Sequence, residues 1–220
     1  MPVLIYIVIA LAAYLLGSIP TGFLVARAKG IDIRSVGSGN IGATNALRVL
    51  GKPAGIFVLL MDALKGFAAA KWLPVLALSI FHLEASKMER LCLIAGIGAV
   101  LGHNYTCWLN FKGGKGIATT AGVFLVLAPW ALLGALVVFM LALLLTKYVS
   151  VASISAAVAL PAAIWMLTPN NIMLGGIATA LGALAIYKHK SNIQRLIAGT
   201  ENRLGQKNTP MANSTPGRAQ

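Results

Sequence analysis

The 220-residue chain is 58% hydrophobic and 10% charged, with a mean hydropathy of +0.83. Soluble domains carry about 25% charged residues, so this composition excludes a soluble enzyme and leaves no room for a separate soluble domain. The net charge of +13, from 18 Lys and Arg against five acids, fits the positive bias of cytoplasmic loops and attraction to anionic lipid. A nucleic-acid surface would need aromatics interleaved with the basic residues, and these are missing.

Six apolar runs follow in chain order, at about residues 3–25, 54–73, 91–109, 117–146, 149–167 and 172–187. In lipid, runs of this kind satisfy their backbone polar groups only as helices. The first is too long for the apolar part of a signal peptide and has no basic residues before it. Ser18, Pro20 and Thr21 predict a kink near its inner end. The second run carries Asp62 and Lys65 three residues apart, which reads as a mutually neutralising pair that fixes helix packing, with a proton relay as the lesser alternative. Cys92 and Cys107 share the third run without a CxxC or His-Cys cluster and read as packing thiols. The fourth run is too long for one crossing. Pro129-Trp130 near its middle predicts two short, tilted or partly re-entrant helices.

That split gives about seven transmembrane helices, or five if the short ones are not counted. With the N-terminus outside, the inner segments 26–52, 109–116, 147–148 and 188–220 hold 14 of the 18 basic residues. Six crossings would put the basic C-terminal tail opposite the first basic loop, against the positive-inside rule. The expected fold is therefore an all-α polytopic membrane protein with a cytoplasmic C-terminus. Residues 1–206 form a single transmembrane domain, and residues 207–220, rich in Asn, Thr, Ser, Pro and Gly, read as a disordered cytoplasmic tail.

Three polar stretches then share the inner face. Residues 34–48 read RSVGSGNIGATNALR. The GSGNIG within it matches a dinucleotide fingerprint in form, but no strand precedes it. Its small residues suit a backbone nest or helix start that binds phosphate oxygens. Ser38, Asn40, Thr44 and Asn45 add neutral donors, and Arg48 a fixed bidentate cation. Residues 102–116 read GHNYTCWLNFKGGKG, in which two lysines on a glycine hinge can fold over an anion. It is not a Walker A loop, which needs GxxxxGK followed by Ser or Thr. His103 and Asn104 lie just upstream, near a helix end where lipid-facing polar groups are costly. In the third stretch His189 and Asn192 share one helix face, flanked by Lys188, Lys190 and Arg195. Ser150 and Ser153 sit at the inner end of another helix.

In this order and spacing the motifs resemble the bacterial acyl-phosphate:glycerol-3-phosphate acyltransferases, the PlsY family. The resemblance runs from YLLGSIPTG (residues 14–22) through SGNIGATN, LMDALKG, GHN, FKGGKGIAT and KYVSVAS to HKSNIQRLIAGTE (residues 189–201). It implies transfer of a fatty acyl group from acyl phosphate to glycerol 3-phosphate, giving 1-acyl-glycerol 3-phosphate and phosphate at the first acylation of phospholipid synthesis. It also implies an inner-membrane protein with a cytoplasm-facing site and no metal or other cofactor. The partners are the two substrates and membrane lipid; no nucleic acid and no obligate protein partner is inferred.

The residues and the resemblance together give a catalytic set of His189, Asn192, Lys115 and Ser38. The phosphate-binding set is Gly39, Asn40, Thr44, Asn45, Arg48, His103, Asn104, Lys112, Gly113, Gly114, Ser150 and Ser153. Either lysine and either serine of the close pairs fits the family pattern. An acyl phosphate is already activated, so the protein has to bring two dianions together and neutralise the leaving phosphate. The better-known acyl-CoA glycerol-phosphate acyltransferases carry a His-x-x-x-x-Asp motif, absent here because Lys87, Trp108 and Gln194 stand five residues after His82, His103 and His189. A secondary transporter or channel for an organic phosphate is the alternative. It would place polar clusters on both sides of the membrane, whereas these share one.

Overall fold

The structure, a computed structural model, describes residues 2–205. The expected tail at 207–220 lies outside the described residues, which are otherwise helices and connecting loops without strands. The helices are α1 (Pro2–Ser18), α2 (Thr21–Arg27), α3 (Ala43–Leu50), α4 (Lys52–Ile80), α5 (Met88–Asn104), α6 (Ile117–Leu127), α7 (Pro129–Thr146), α8 (Val149–Leu167), α9 (Ile172–Lys188) and α10 (Lys190–Ile197).

Pro20, with no N–H to give, interrupts the first apolar run between α1 and α2. Carbonyls freed at such a break need partners inside the membrane. Thr106 Oγ1 donates to Ser18 O at 2.6 Å, and Lys65 Nζ donates to Ile19 O at 3.0 Å. Lys65 also pairs with Asp62 at 2.9 Å. The intramembrane ion pair expected from the sequence is therefore formed, and its cation also serves the chain break.

The long apolar run divides at Ala128, whose backbone leaves the helical region (φ −152°, ψ 66°), and Pro129 opens α7. Five stretches are long and apolar enough to cross a membrane, and the pair α9 and α10, bent by 53°, brings this to as many as six. At 11 residues, α6 is about 16 Å long, half of a ~30 Å hydrocarbon core.

Small residues bring the backbones close, as is usual between helices in lipid. A Cβ on Gly17 would lie 2.1 Å from Ala99 O, and one on Gly102 2.1 Å from Tyr14 O, so α1 and α5 touch almost backbone to backbone. The main apolar cluster, around Phe124, Ile164 and Leu174, joins α6 to α9 with α4 and α5. A second cluster, including Ala13, Ala69 and Leu91, joins α1, α4 and α5. The outer faces remain apolar: Leu145 is 83% exposed and Met166 82%. A soluble protein does not present such surface, and a bilayer covers it.

Candidate active site

One end of the bundle carries a polar cleft of about 150 Å³, where the loop before α3, the loop before α6, the start of α8 and the α9–α10 bend converge. The first wall is built by Asn45. Its side-chain oxygen accepts the Ser38 amide at 2.9 Å, and its NH2 donates to the carbonyls of Ile33 and Val36. Asn40 Oδ1 accepts the Gly42 amide at 2.9 Å. Gly37 and Gly39 hold the left-handed conformation the turn requires (φ 62° and 70°). Gly42, Ala43 and Thr44 then open α3 onto the cleft without a side-chain cap. First-turn amides and the helix dipole favour an anion there. Arg48, half-buried, points its charge into the same cleft.

The glycine loop supplies the second wall in a way the sequence did not suggest. The Gly113 amide donates to Asn104 O at 3.2 Å and the Gly114 amide to His103 O at 2.9 Å. These amides cap the C-terminus of α5 and do not face an anion. A Cβ on Gly114 would fall 2.1 Å from His103 Nε2, so the loop lies flat on that ring. The packing turns Lys115 into the cleft, where its ammonium donates to Asn192 Oδ1, and leaves Lys112 exposed outside it. Burial lowers the Lys115 pKa to about 8, with Glu201 opposing and Arg195 and Arg48 adding to the shift.

Beyond the end of α9, the ring of His189 is fixed by a 2.7 Å contact from Nδ1 to Ala185 O. A carbonyl only accepts, so Nδ1 carries the proton and Nε2 is left as an acceptor. Burial and the nearby Lys115 charge lower its pKa to about 4, and the ring is neutral. Asn192 donates to Glu201 Oε1 at 2.7 Å, and Arg195 Nε donates to Glu201 Oε2 at 2.7 Å. Burial alone would raise the Glu201 pKa, but these two hydrogen bonds hold the carboxylate below its usual range. The segment carrying Glu201 is pinned across the cleft mouth, with the Leu204 amide on Lys147 O and Arg203 Nε on the Tyr148 hydroxyl.

Eleven expected site residues line this one cleft: Ser38, Asn40, Thr44, Asn45, Arg48, His103, Lys115, Ser150, Ser153, His189 and Asn192. Gly39, Asn104, Lys112, Gly113 and Gly114 are not among the lining residues; Gly39 lies in the turn before α3, Asn104 ends α5, and Gly113 and Gly114 lie in the loop packed on that end. Lys188, expected to flank the site, instead donates to Asn104 O at 3.0 Å and lies over the Tyr105 ring. Asp62, read chiefly as a packing residue, lines the cleft floor 3.6 Å from His103 Nδ1. Glu201, Arg195 and Asn202 also line it. Glu201 had a visible signal, being the sole acid after residue 89 and set in a basic stretch.

From the cleft an apolar groove of about 200 Å³ runs into the bundle between α4, α6, α7, α8 and α9. Leu59, Ile117, Ala118 and Phe139 belong to both.

The comparisons agree with one another. The model of the glycerol-3-phosphate acyltransferase family matches residues 7–199. The glycerol-3-phosphate acyltransferase of Geotalea daltonii is 46% identical over 196 residues, covering 89% of this chain and 96% of the relative. That of Trichlorobacter lovleyi is 49% identical over 192 residues, covering 87% and 93%. Among solved structures, the glycerol 3-phosphate form of PlsY, an integral membrane glycerol 3-phosphate acyltransferase, superposes with a TM-score of 0.79 at 40% identity, covering 91% of this chain and 96% of that one. Its lysophosphatidic acid form gives 0.78 at 38% identity, covering 91% and 95%.

Proposed function

Because this chain belongs to the glycerol-3-phosphate acyltransferase family, we propose that its cleft joins an acyl phosphate to sn-glycerol 3-phosphate, giving 1-acyl-glycerol 3-phosphate and inorganic phosphate. Acylation of glycerol 3-phosphate is the activity of the family. The acyl-phosphate donor, the residue roles and the cytoplasmic face of the inner membrane are our reading. One observation carries it: Arg48, Lys115 and a neutral His189 meet in a polar cleft that continues into an apolar groove.

Two phosphate dianions repel unless cations stand between them. Arg48, Lys115 and the first turn of α3 supply that charge, and the hydroxyls of Ser38, Ser150 and Ser153 add donors. The acyl tail lies in the groove, which places the donor carbonyl at its mouth. Nε2 of His189 accepts from the glycerol 2-hydroxyl, which leaves the proton of the reacting 1-hydroxyl directed at phosphate, and Asn192, held between Lys115 and Glu201, orients the same substrate. The hydroxyl oxygen attacks the acyl carbon, the bond from that carbon to the phosphate oxygen breaks, and the hydroxyl proton passes to phosphate. A phosphate dianion, with a second pKa near 6, is the stronger base beside a histidine this depressed. Holding the reactants together accounts for about 7–11 kcal/mol of barrier lowering.

The test supplies purified protein with glycerol 3-phosphate and, separately, acyl phosphate, acyl-CoA or acyl carrier protein carrying the same chain. Lysophosphatidate should form with acyl phosphate alone. Formation from a thioester and none from acyl phosphate would overturn the donor assignment.

A further inference from the structure

Asp62 is out of character for an anion site. It is 3% exposed and lines the cleft among groups that otherwise donate, Arg48, Lys115, Ser38, Ser150 and Ser153. Glu201, the other carboxylate in the lining, has its two oxygens occupied by Asn192 and Arg195 at 2.7 Å each. Asp62 does not. Both of its side-chain contacts run to Oδ1, from Lys65 Nζ at 2.9 Å and His103 Nδ1 at 3.6 Å, and the second is too long for a hydrogen bond. An ionised carboxylate has about four acceptor sites, so most of its capacity is left to the cleft. Its place on α4 indicates which ligand group it meets. Leu59, at the junction of cleft and groove, precedes Asp62 on the same helix face, about 4.5 Å along the axis. An acyl chain in the groove sets its carbonyl at that junction, which puts the phosphate leaving from it within reach of Asp62.

The reaction creates a proton donor at that place. The glycerol oxygen bonds to the acyl carbon and the bond from that carbon to the phosphate oxygen breaks. The hydroxyl proton, once on phosphate, ends on the departing group, which leaves as hydrogen phosphate. We infer that Asp62 accepts the P–OH of this leaving phosphate through Oδ2, so that the floor of the cleft takes an anion only when it carries a proton. The inference rests on the acyl-phosphate reading of the cleft. A hydrogen bond from a hydroxyl to an ionised oxygen is short and strong. Without the proton, two anionic oxygens face each other in a buried site, where the repulsion is poorly screened. Departure of phosphate is thereby tied to arrival of the proton, and the trianion is never released.

The test measures equilibrium binding of radiolabelled inorganic phosphate and sulfate to the protein in lipid nanodiscs at neutral pH. Saturating glycerol 3-phosphate fills the acceptor's own phosphate subsite, and no acyl donor is present. Both anions are tetrahedral and similar in size, but only phosphate has a proton to donate. Sulfate should bind roughly hundredfold more weakly, because a buried acceptor rejects a partner that lacks the proton. Asp62→Asn, whose amide can donate to either anion, should bring the two within about threefold. With acyl phosphate supplied, the same variant should lose roughly tenfold or more in kcat while the KM for glycerol 3-phosphate moves less than about threefold. An ion pair that serves helix packing alone would leave the phosphate-to-sulfate ratio where it was. The anion comparison on the unaltered protein carries the test should the variant, with Lys65 left unpaired, not fold. Equal binding of the two anions by the wild type, no phosphate binding beside glycerol 3-phosphate, or a ratio unchanged in folded Asp62→Asn would each overturn the inference. So would a ratio erased by Glu201→Gln and kept in Asp62→Asn. If acyl phosphate is not turned over while the preference for phosphate holds and depends on Asp62, the donor assignment fails and the proton-demanding site stands.

Discussion

The Lys115 ammonium donates a hydrogen bond to the Asn192 side-chain oxygen, joining the glycine loop before α6 to α10. Asn192 in turn binds Glu201, and Glu201 binds Arg195. A chain of four side chains thus closes one side of the cleft before any substrate enters. Its cation titrates where activity is measured, and the first prediction follows from that.

With a free-cleft pKa of about 8, Lys115 is charged below pH 8 and loses its proton above it. A bound phosphate dianion favours the charged form and raises that pKa, so binding takes up a proton between the free and bound values. The KM for glycerol 3-phosphate should therefore be lowest between about pH 6, where the phosphate gains its second charge, and about pH 8. It should rise by up to tenfold per unit beyond. Lys115→Arg should flatten this alkaline limb. Exposed Lys112, changed to Ala, should shift KM by less than about threefold, and an equal loss for Lys112→Ala and Lys115→Ala would contradict the assignment.

Arg48 tests geometry against charge. Arg48→Lys keeps the charge and loses the planar fork that grips two phosphate oxygens. The expected drop in kcat/KM is roughly tenfold or more, about 1.4 kcal/mol. Wild-type kinetics in a folded Arg48→Lys protein would reduce the residue to a loop charge.

Gly114→Ala separates the two readings of the glycine loop. An amide cradle for phosphate would tolerate a small side chain directed away from the ligand. Here the added Cβ meets the His103 ring at 2.1 Å, so the loop has to lift and carry Lys115 with it. Activity should fall by tenfold or more through a raised KM for glycerol 3-phosphate, as expected when a substrate-binding contact is lost. Unchanged KM with lowered kcat would point to the amides themselves.

Much of this was legible in the sequence, and the remainder was not for physical reasons. Hydropathy and proline are local signals, so the apolar runs and the break at Pro129 could be read directly. The three polar stretches were legible because charge is rare elsewhere in the chain. What escaped was the direction in which backbone groups point. Gly113 and Gly114 look like a phosphate loop until the free carbonyls of His103 and Asn104 claim their amides. Asn45 looks like a ligand donor until Ser38, Ile33 and Val36 occupy it. Asp62 was paired correctly with Lys65, but its approach to His103, 41 positions away, depends on how α4 packs on α5.

Sidedness can be checked with single cysteines in a background lacking Cys92 and Cys107. Ser38→Cys, Lys112→Cys and Lys190→Cys, all at exposed positions, should react with a membrane-impermeant reagent only from the cytoplasmic side, as the positive-inside bias requires. Ser86→Cys should react only from outside. Labelling of Ser38→Cys and Lys190→Cys from opposite faces would eliminate every odd number of crossings.

The identity of the base turns on His189. Its Nδ1 proton is committed to Ala185 O, and its pKa of about 4 leaves Nε2 a good hydrogen-bond acceptor but a weak base at neutral pH. Glutamine offers an amide oxygen that can accept the same hydroxyl, yet it has no proton-accepting function. His189→Gln should therefore keep measurable turnover and raise mainly the KM for glycerol 3-phosphate, whereas His189→Ala, which loses the contact, should be worse. In the unaltered protein, kcat at saturating substrate should show no titration near 6.5 belonging to His189, because that ring is already neutral there. The acid limb should follow protonation of phosphate near pH 6 instead. Substituting a phosphonate-type acceptor, whose second pKa differs from that of the phosphate ester, should then move that limb in both wild type and His189→Gln. Complete loss of turnover in His189→Gln, together with a wild-type limb that vanishes in the mutant and ignores the acceptor, would make His189 the base and end the substrate-assisted proposal.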